Sequence, residues 1–138
     1  MQERRLAAIM FTDIVGYTAL MGKDEDSAFE TLRINKEIHI RLIDKYRGTL
    51  IKEMGDGILV SFNSSSDAVR CAFEIQNESK AKEIPLKIGI HEGEMVFAGD
   101  DVLGDGVNIA SRLEAVTETG NITISEAIYR NVKNKPGI

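Results

Sequence analysis

Phe11-Thr12-Asp13-Ile14-Val15-Gly16-Tyr17-Thr18 is an apolar run that ends on one carboxylate and then breaks at a glycine. The residues leading into it, Leu6 to Phe11, are apolar throughout and do not alternate. That pattern predicts a strand buried on both faces. A charge at the end of such a strand is costly unless something pairs with it. For Asp13 alone, a cap on the following turn is explanation enough. Further along, Lys52-Glu53-Met54-Gly55-Asp56-Gly57 sets a second carboxylate between two apolar runs, Thr49–Met54 and Ile58–Phe62. Asp-Gly between such runs marks a hairpin. Two carboxylates at neighbouring strand ends can share divalent cations, and the rest of the chain is read around that pair.

Asp24 to Tyr46 reads as a long helix with Phe29, Leu32, Ile40, Ile43 and Tyr46 on one stripe; Ile34 and Ile38 lie off it and either widen the buried face or meet another chain. Asp67 to Ser79 is a second helix behind Ser64-Ser65-Ser66. Leu86 to His91 is a strand, followed by a turn at Gly93 and by Met95 to Ala98. Gly104 to Val116 is a third helix, Ile122 to Ile124 a short strand and Glu126 to Val132 a last helix. The order is β-α-β-β-α-β with an added helix, strand and helix. It predicts an α+β, ferredoxin-like domain over residues 1–138, an antiparallel sheet with helices packed on one face.

The chain has 138 residues, 43% hydrophobic and 28% charged, the composition of one ordinary globular domain. A formal net charge of −5, with no basic cluster larger than Arg4-Arg5 or Lys80-Ala81-Lys82, argues against nucleic-acid or membrane-surface binding. The single cysteine, Cys71, shares a stripe with Ala68, Ala72 and Ile75 and reads as core. With no second cysteine, no signal peptide and no spanning segment, a cytoplasmic setting is expected.

The spacing of the remaining polar residues bears on chemistry. Two metal ions a few ångströms apart activate an attacking oxygen and neutralise a leaving phosphate, which gives Asp13 and Asp56 a role beyond capping. Lys52, Met54 and Asp56 share a face by strand parity. Lys52 is either a solvated edge lysine or a donor to a base. In Gly99-Asp100-Asp101-Val102-Leu103-Gly104-Asp105-Gly106-Val107-Asn108-Ile109-Ala110-Ser111-Arg112, Asn108 and Arg112 are i and i+4 and project together, at the edge of a stripe of Ile109, Leu113 and Val116. They are either solvated, or a sugar-positioning amide and a guanidinium fit for a phosphoryl transition state. The EF-hand spacing is absent from this Gly/Asp-rich stretch. His39 and His91 are not spaced as a metal pair and read as structural.

Together, FTDIVGYT at 11–18, KEMGDG at 52–57 and DVLGDGVNIASRLE at 101–114 resemble the catalytic domain of the class III nucleotidyl cyclases, the bacterial adenylate and guanylate cyclases among them. The resemblance runs in order from Leu6 to about Ile128. It implies that Asp13 and Asp56, with the carbonyl of Ile14, hold two Mg²⁺ or Mn²⁺ ions. It implies that Lys52 and Asp101 read the purine, that Asn108 places the ribose and that Arg112 meets the transition state. It also implies a head-to-tail homodimer in which the two metal aspartates of one subunit face the other four residues of its partner. Lysine donates to N1 of adenine and Asp accepts from its amino group; guanine presents the opposite sense. Guanylate cyclases of the family carry Glu and Cys at these two places. The implied reaction is therefore ATP to cyclic AMP and pyrophosphate. Three alternatives stand beside it: a guanylate cyclase, a nucleotide-binding regulatory module without turnover, and an interaction domain of the same fold. The hairpin of the diguanylate cyclases is absent. Family domains continue past the last helix into strands bearing a triphosphate-binding lysine. The end at Ile138 therefore predicts a truncated C-terminal side, with a regulatory or sensor domain elsewhere.

Overall fold

The computed structural model describes residues 2–138. Its elements are β1 (Gln2–Ile14), α1 (Tyr17–Lys23), α2 (Glu25–Lys45), β2 (Thr49–Met54), β3 (Gly57–Phe62), α3 (Ser65–Ala81), β4 (Leu86–Ala98), β5 (Asp101–Leu103), α4 (Asp105–Val116), β6 (Ile122–Ile124) and α5 (Glu126–Val132). The strands form one sheet in the order β2-β3-β1-β4-β5, with β6 added parallel to β4. The other pairings are antiparallel. The β2-β3-β1-β4 run is the predicted ferredoxin-like core.

Three differences from the sequence reading matter for the site. First, helices cover both faces of the sheet. Ala8, Met10 and Ile14 of β1 pack with Ile38 and Leu42 of α2 and with Ala72 and Ile75 of α3. Ala7 and Ile9 point the other way, with Leu59, Met95 and Ala110 of α4. The uniform apolarity of Leu6 to Phe11 had required two covers, and α4 is the second one, although Leu6 itself, before the ladder with β3 begins, is exposed.

Second, the buried face of α2 is not the predicted stripe. Ala28, Asn35, Ile38, His39, Leu42 and Ile43 are buried, whereas Phe29 and Ile40 are each half exposed. A polar contact explains the rotation. His39 lies under the sheet with Nε2 2.8 Å from the Thr12 hydroxyl and Nδ1 2.7 Å from the Asn35 carbonyl. Since a carbonyl only accepts, Nδ1 carries the proton and the Thr12 hydroxyl donates to Nε2. A hydrophobic template counts His39 and Asn35 as surface, and so selects the wrong side of the helix. Cys71 is core, as expected, and burial pushes its thiol up to about 12.

Third, β1 and β4 are each 13 residues long, and β4 runs unbroken through Gly93. The ladder with β3 covers only Ala8 to Thr12, so from Gln2 to Ala7 β1 is paired with β4 only, and β5 joins the far edge of β4 there. Long paired strands coil. The β1–β4 ribbon arches over the α4 face far enough for β5, last in the sheet, to reach β2, first in the sheet: Lys52 Nζ is 3.3 Å from Asp101 Oδ1.

The buried imidazole predicts a pH dependence of stability. Burial holds His39 down at about 4, below its ordinary value of 6.5. The unfolded chain therefore takes up a proton near pH 6.5 that the folded chain refuses until about pH 4. This contribution to stability is complete above pH 6.5 and declines by at most about 1.4 kcal/mol per pH unit as the pH falls toward 4. Urea unfolding at pH 7.5 and pH 5 checks it: the difference between the two shrinks by more than 1 kcal/mol, roughly, in His39→Gln.

Candidate functional site

β1 ends one residue after Asp13, and β3 begins immediately after the turn that carries Asp56. Asp56 is a turn residue and not part of β2, which ends at Met54. Because β1 lies beside β3, the two carboxylates come to the same edge. The Ile14 backbone N–H donates to Asp56 Oδ2 at 3.0 Å, which fixes one carboxylate against the strand that bears the other. A cleft of about 290 Å³ opens here, lined by Asp13, Ile14, Asp56, Lys87 and the turn from Val15 to Thr18. That turn passes through Gly16 at φ 76°, a conformation suited to glycine, before α1 begins.

Burial, together with the hydrogen bond and like charge of Asp56, pushes Asp13 up to about 7; Glu114 adds to the repulsion, and the Ile14 backbone opposes it. A carboxyl held there gains from a bound cation. The donors are hard oxygens, the type that Mg²⁺ and Mn²⁺ take, so the residues fit such ions. Among the described residues no group of three or more His, Cys, Asp or Glu is placed to hold a metal. Remaining coordination positions would fall to water or phosphate, which suits a site that binds a nucleotide through its metal.

The fit has a measurable consequence. A divalent ion that binds the Asp13–Asp56 pair displaces the proton on Asp13. Its apparent affinity should therefore rise about tenfold per pH unit below pH 7 and level off above it. A Mn²⁺ titration by electron paramagnetic resonance between pH 5.5 and 8.5 reads that slope, and Asp13→Asn should abolish it.

The second group of predicted residues stands apart. Lys52 and Asp101 form an ion pair, each side chain 44% exposed. The Val102 backbone N–H and then the Lys52 ammonium hold the Asp101 carboxyl below its ordinary value. Asn108 and Arg112 are exposed on α4, and Arg112 enters no ion pair among the described residues. No lining of the Asp13–Asp56 cleft includes these four. One chain thus brings together Asp13, Ile14 and Asp56, and separately Lys52 and Asp101, with Asn108 and Arg112 facing outward.

The stripe assigned to α4 is also corrected. Its buried residues are Gly106, Ala110 and Glu114, at a strict four-residue spacing, while Val116 is 74% exposed. Small residues win because the helix lies against the backbone of β4. A Cβ on Gly89 would fall 2.6 Å from the Ala110 carbonyl oxygen and 2.9 Å from the Glu114 Cα. Two residues of this region escaped the sequence reading. Lys87 pairs with Asp13 across the β1–β4 ladder and lines the cleft. Glu114, buried on α4, is raised above its ordinary value by burial and by Asp56, against the pull of Lys87. The available signal was parity: Lys87, Gly89 and His91 share a face, and the glycine between them marks a close backbone approach.

Residues 1–137 match the family model described as the adenylate and guanylate cyclase catalytic domain. The chain belongs to that family. A Rhizobium meliloti (strain 1021) protein provisionally named adenylate cyclase 3 is 38% identical over 144 residues, covering 98% of this cyclase domain and 24% of its own length. The crystal structure of an adenylate/guanylate cyclase/hydrolase from Silicibacter pomeroyi superposes with a TM-score of 0.92 at 34% identity, covering 99% of this chain and 85% of that one. The adenylyl cyclase CyaB from P. aeruginosa has the same fold, with a TM-score of 0.90 at 24% identity, covering 98% of this chain and 84% of that one. The cyclase domain spans about a quarter of the Rhizobium relative it matches. No helix among the described residues is long and apolar enough to cross a membrane.

Proposed function

We propose that this domain converts ATP to 3′,5′-cyclic AMP and pyrophosphate at sites shared by two copies of the chain paired head to tail. The observation that carries the nucleotide choice is the Lys52–Asp101 pair, a cation and a carboxylate 3.3 Å apart at an accessible position. One donor beside one acceptor matches N1 and the amino group of adenine and mismatches both groups of guanine. A separate observation favours two copies: Asn108 and Arg112 lie on the outer side of α4, away from the carboxylate cleft of their own chain.

In this reading Asp13 and Asp56, with the Ile14 carbonyl, hold divalent ions. Such ions supply charge neutralisation for the triphosphate and acidify the ribose 3′-hydroxyl. Lys87, in the same cleft, meets the triphosphate from the same subunit. The partner's copies of Lys52 and Asp101 fix the base, its Asn108 orients the ribose, and its Arg112 stabilises the charge that develops at the α-phosphate. The 3′-oxygen forms a bond to the α-phosphorus as the bond to the pyrophosphate oxygen breaks, and the hydroxyl proton passes to solvent.

The test is product formation by the purified chain at high concentration with Mn²⁺ and either ATP or GTP. Cyclic AMP from ATP is expected. Cyclic GMP in its place overturns the purine assignment, and no product from either overturns turnover by this chain.

A further inference from the structure

Helix α4 presents polar residues on two sides. Its outer side carries Asn108 and Arg112, and its sheet side carries Glu114, 8% exposed. Glu114 is brought to the sheet by Gly89, whose missing side chain lets the backbone of α4 rest on β4. The helix runs toward the start of β4, so that Thr117 lies with its hydroxyl 3.3 Å from the Ile88 carbonyl. Lys87 is the next residue of β4 on the α4 face, two positions from Gly89 and directly across the ladder from Asp13. Glu114 therefore leaves α4 beside Gly89, two residues along β4 from the one lysine that lines the cleft.

A carboxylate this buried needs a positive neighbour. Burial raises the Glu114 carboxyl above its ordinary value; Lys87 opposes that shift and Asp56 adds to it. Glu114 and Lys87 do not close into an ion pair; none of the ion pairs among the described residues includes Lys87.

We propose that Glu114 is a positioning residue that keeps the Lys87 ammonium in the phosphate cleft of its own chain, while the same helix offers Asn108 and Arg112 to the partner. The inference rests on the nucleotide site proposed above, but it concerns only the phosphate end. A probe without a base therefore separates the two. The occupant expected beside Lys87 is a polyphosphate bound with a divalent ion.

The experiment is a double-mutant cycle on the full chain, read as the dissociation constant for Mn²⁺–tripolyphosphate by calorimetry. Glu114→Gln should weaken binding about three- to tenfold. In a Lys87→Met background the same substitution should have no further effect, because its target is gone. A merely structural Glu114 would lower binding equally in both backgrounds, and that result overturns the proposal, as does unchanged or tighter binding in Glu114→Gln. If Glu114→Gln does not fold, Glu114→Asp keeps the charge on a shorter stem. It should give a smaller loss, again absent without Lys87; a loss that persists without Lys87 overturns the proposal here too. Failure of the parent chain to bind tripolyphosphate with Mn²⁺ also overturns it, whereas cyclic GMP as the product would overturn only the purine assignment.

Discussion

Asp56→Ala and Arg112→Ala, each inactive alone, should recover cyclic AMP formation when mixed, to about a quarter of the parent activity. The figure follows from pairing statistics. Random exchange makes half of the dimers mixed, and each mixed dimer has one site built from the two intact halves and one that lacks both residues. Arg112→Ala is expected to lower turnover by at least about 10³-fold, the lower end of what a transition-state arginine contributes. Arg112 is exposed and makes no ion pair among the described residues, whereas Asp56 is tied to the Ile14 N–H in the cleft. A site complete within one chain would show no recovery on mixing. Activity in Arg112→Ala alone would remove Arg112 from the mechanism.

Replacing Lys52 and Asp101, the proposed base-reading pair, should change the substrate and leave the chemistry in place. In Lys52→Glu with Asp101→Cys, the carboxylate accepts from guanine N1–H and the thiol donates weakly to O6, while adenine meets an acceptor opposite its N1. Two unmatched polar groups at about 1–3 kcal/mol each predict a loss of roughly 30-fold to 10⁴-fold in kcat/KM for ATP, with GTP turnover appearing. The pair lies at the meeting of β2 and β5, outside both apolar clusters, so the substitution should leave the melting temperature within a few degrees of the parent. Unchanged preference for ATP would show that some other contact reads the base.

The two substitutions probe different kinds of information. Asp13 and Asp56 were legible as a pair because each closes an apolar run, and the order of elements fixes which strands are neighbours. Lys52 and Asp101 were legible only through the family resemblance. They lie at opposite ends of the sheet order, and nothing in local pattern announces that a 13-residue ribbon will coil until β5 touches β2. Lys87 and Glu114 were not legible as a site at all. Parity and Gly89 mark a close backbone approach beside Lys87, but which helix Gly89 admits, and with it the approach of Glu114, is not a local property.

The same division runs through the fold. By itself the sequence determined the apolar centre of β1, the places of the strand-end and turn carboxylates, and the succession of strands and helices apart from α1, β5 and the unbroken run of β4 through Gly93, because periodicity and turn chemistry are local. Only the tertiary structure decided that α4 covers the second face and that α2 turns His39 inward. It alone set Asp101 against Lys52 and left Asn108 and Arg112 outside. Those outcomes depend on which surfaces meet across the sheet, and burial of a polar group is settled by the partner it finds there, as Thr12 is for His39.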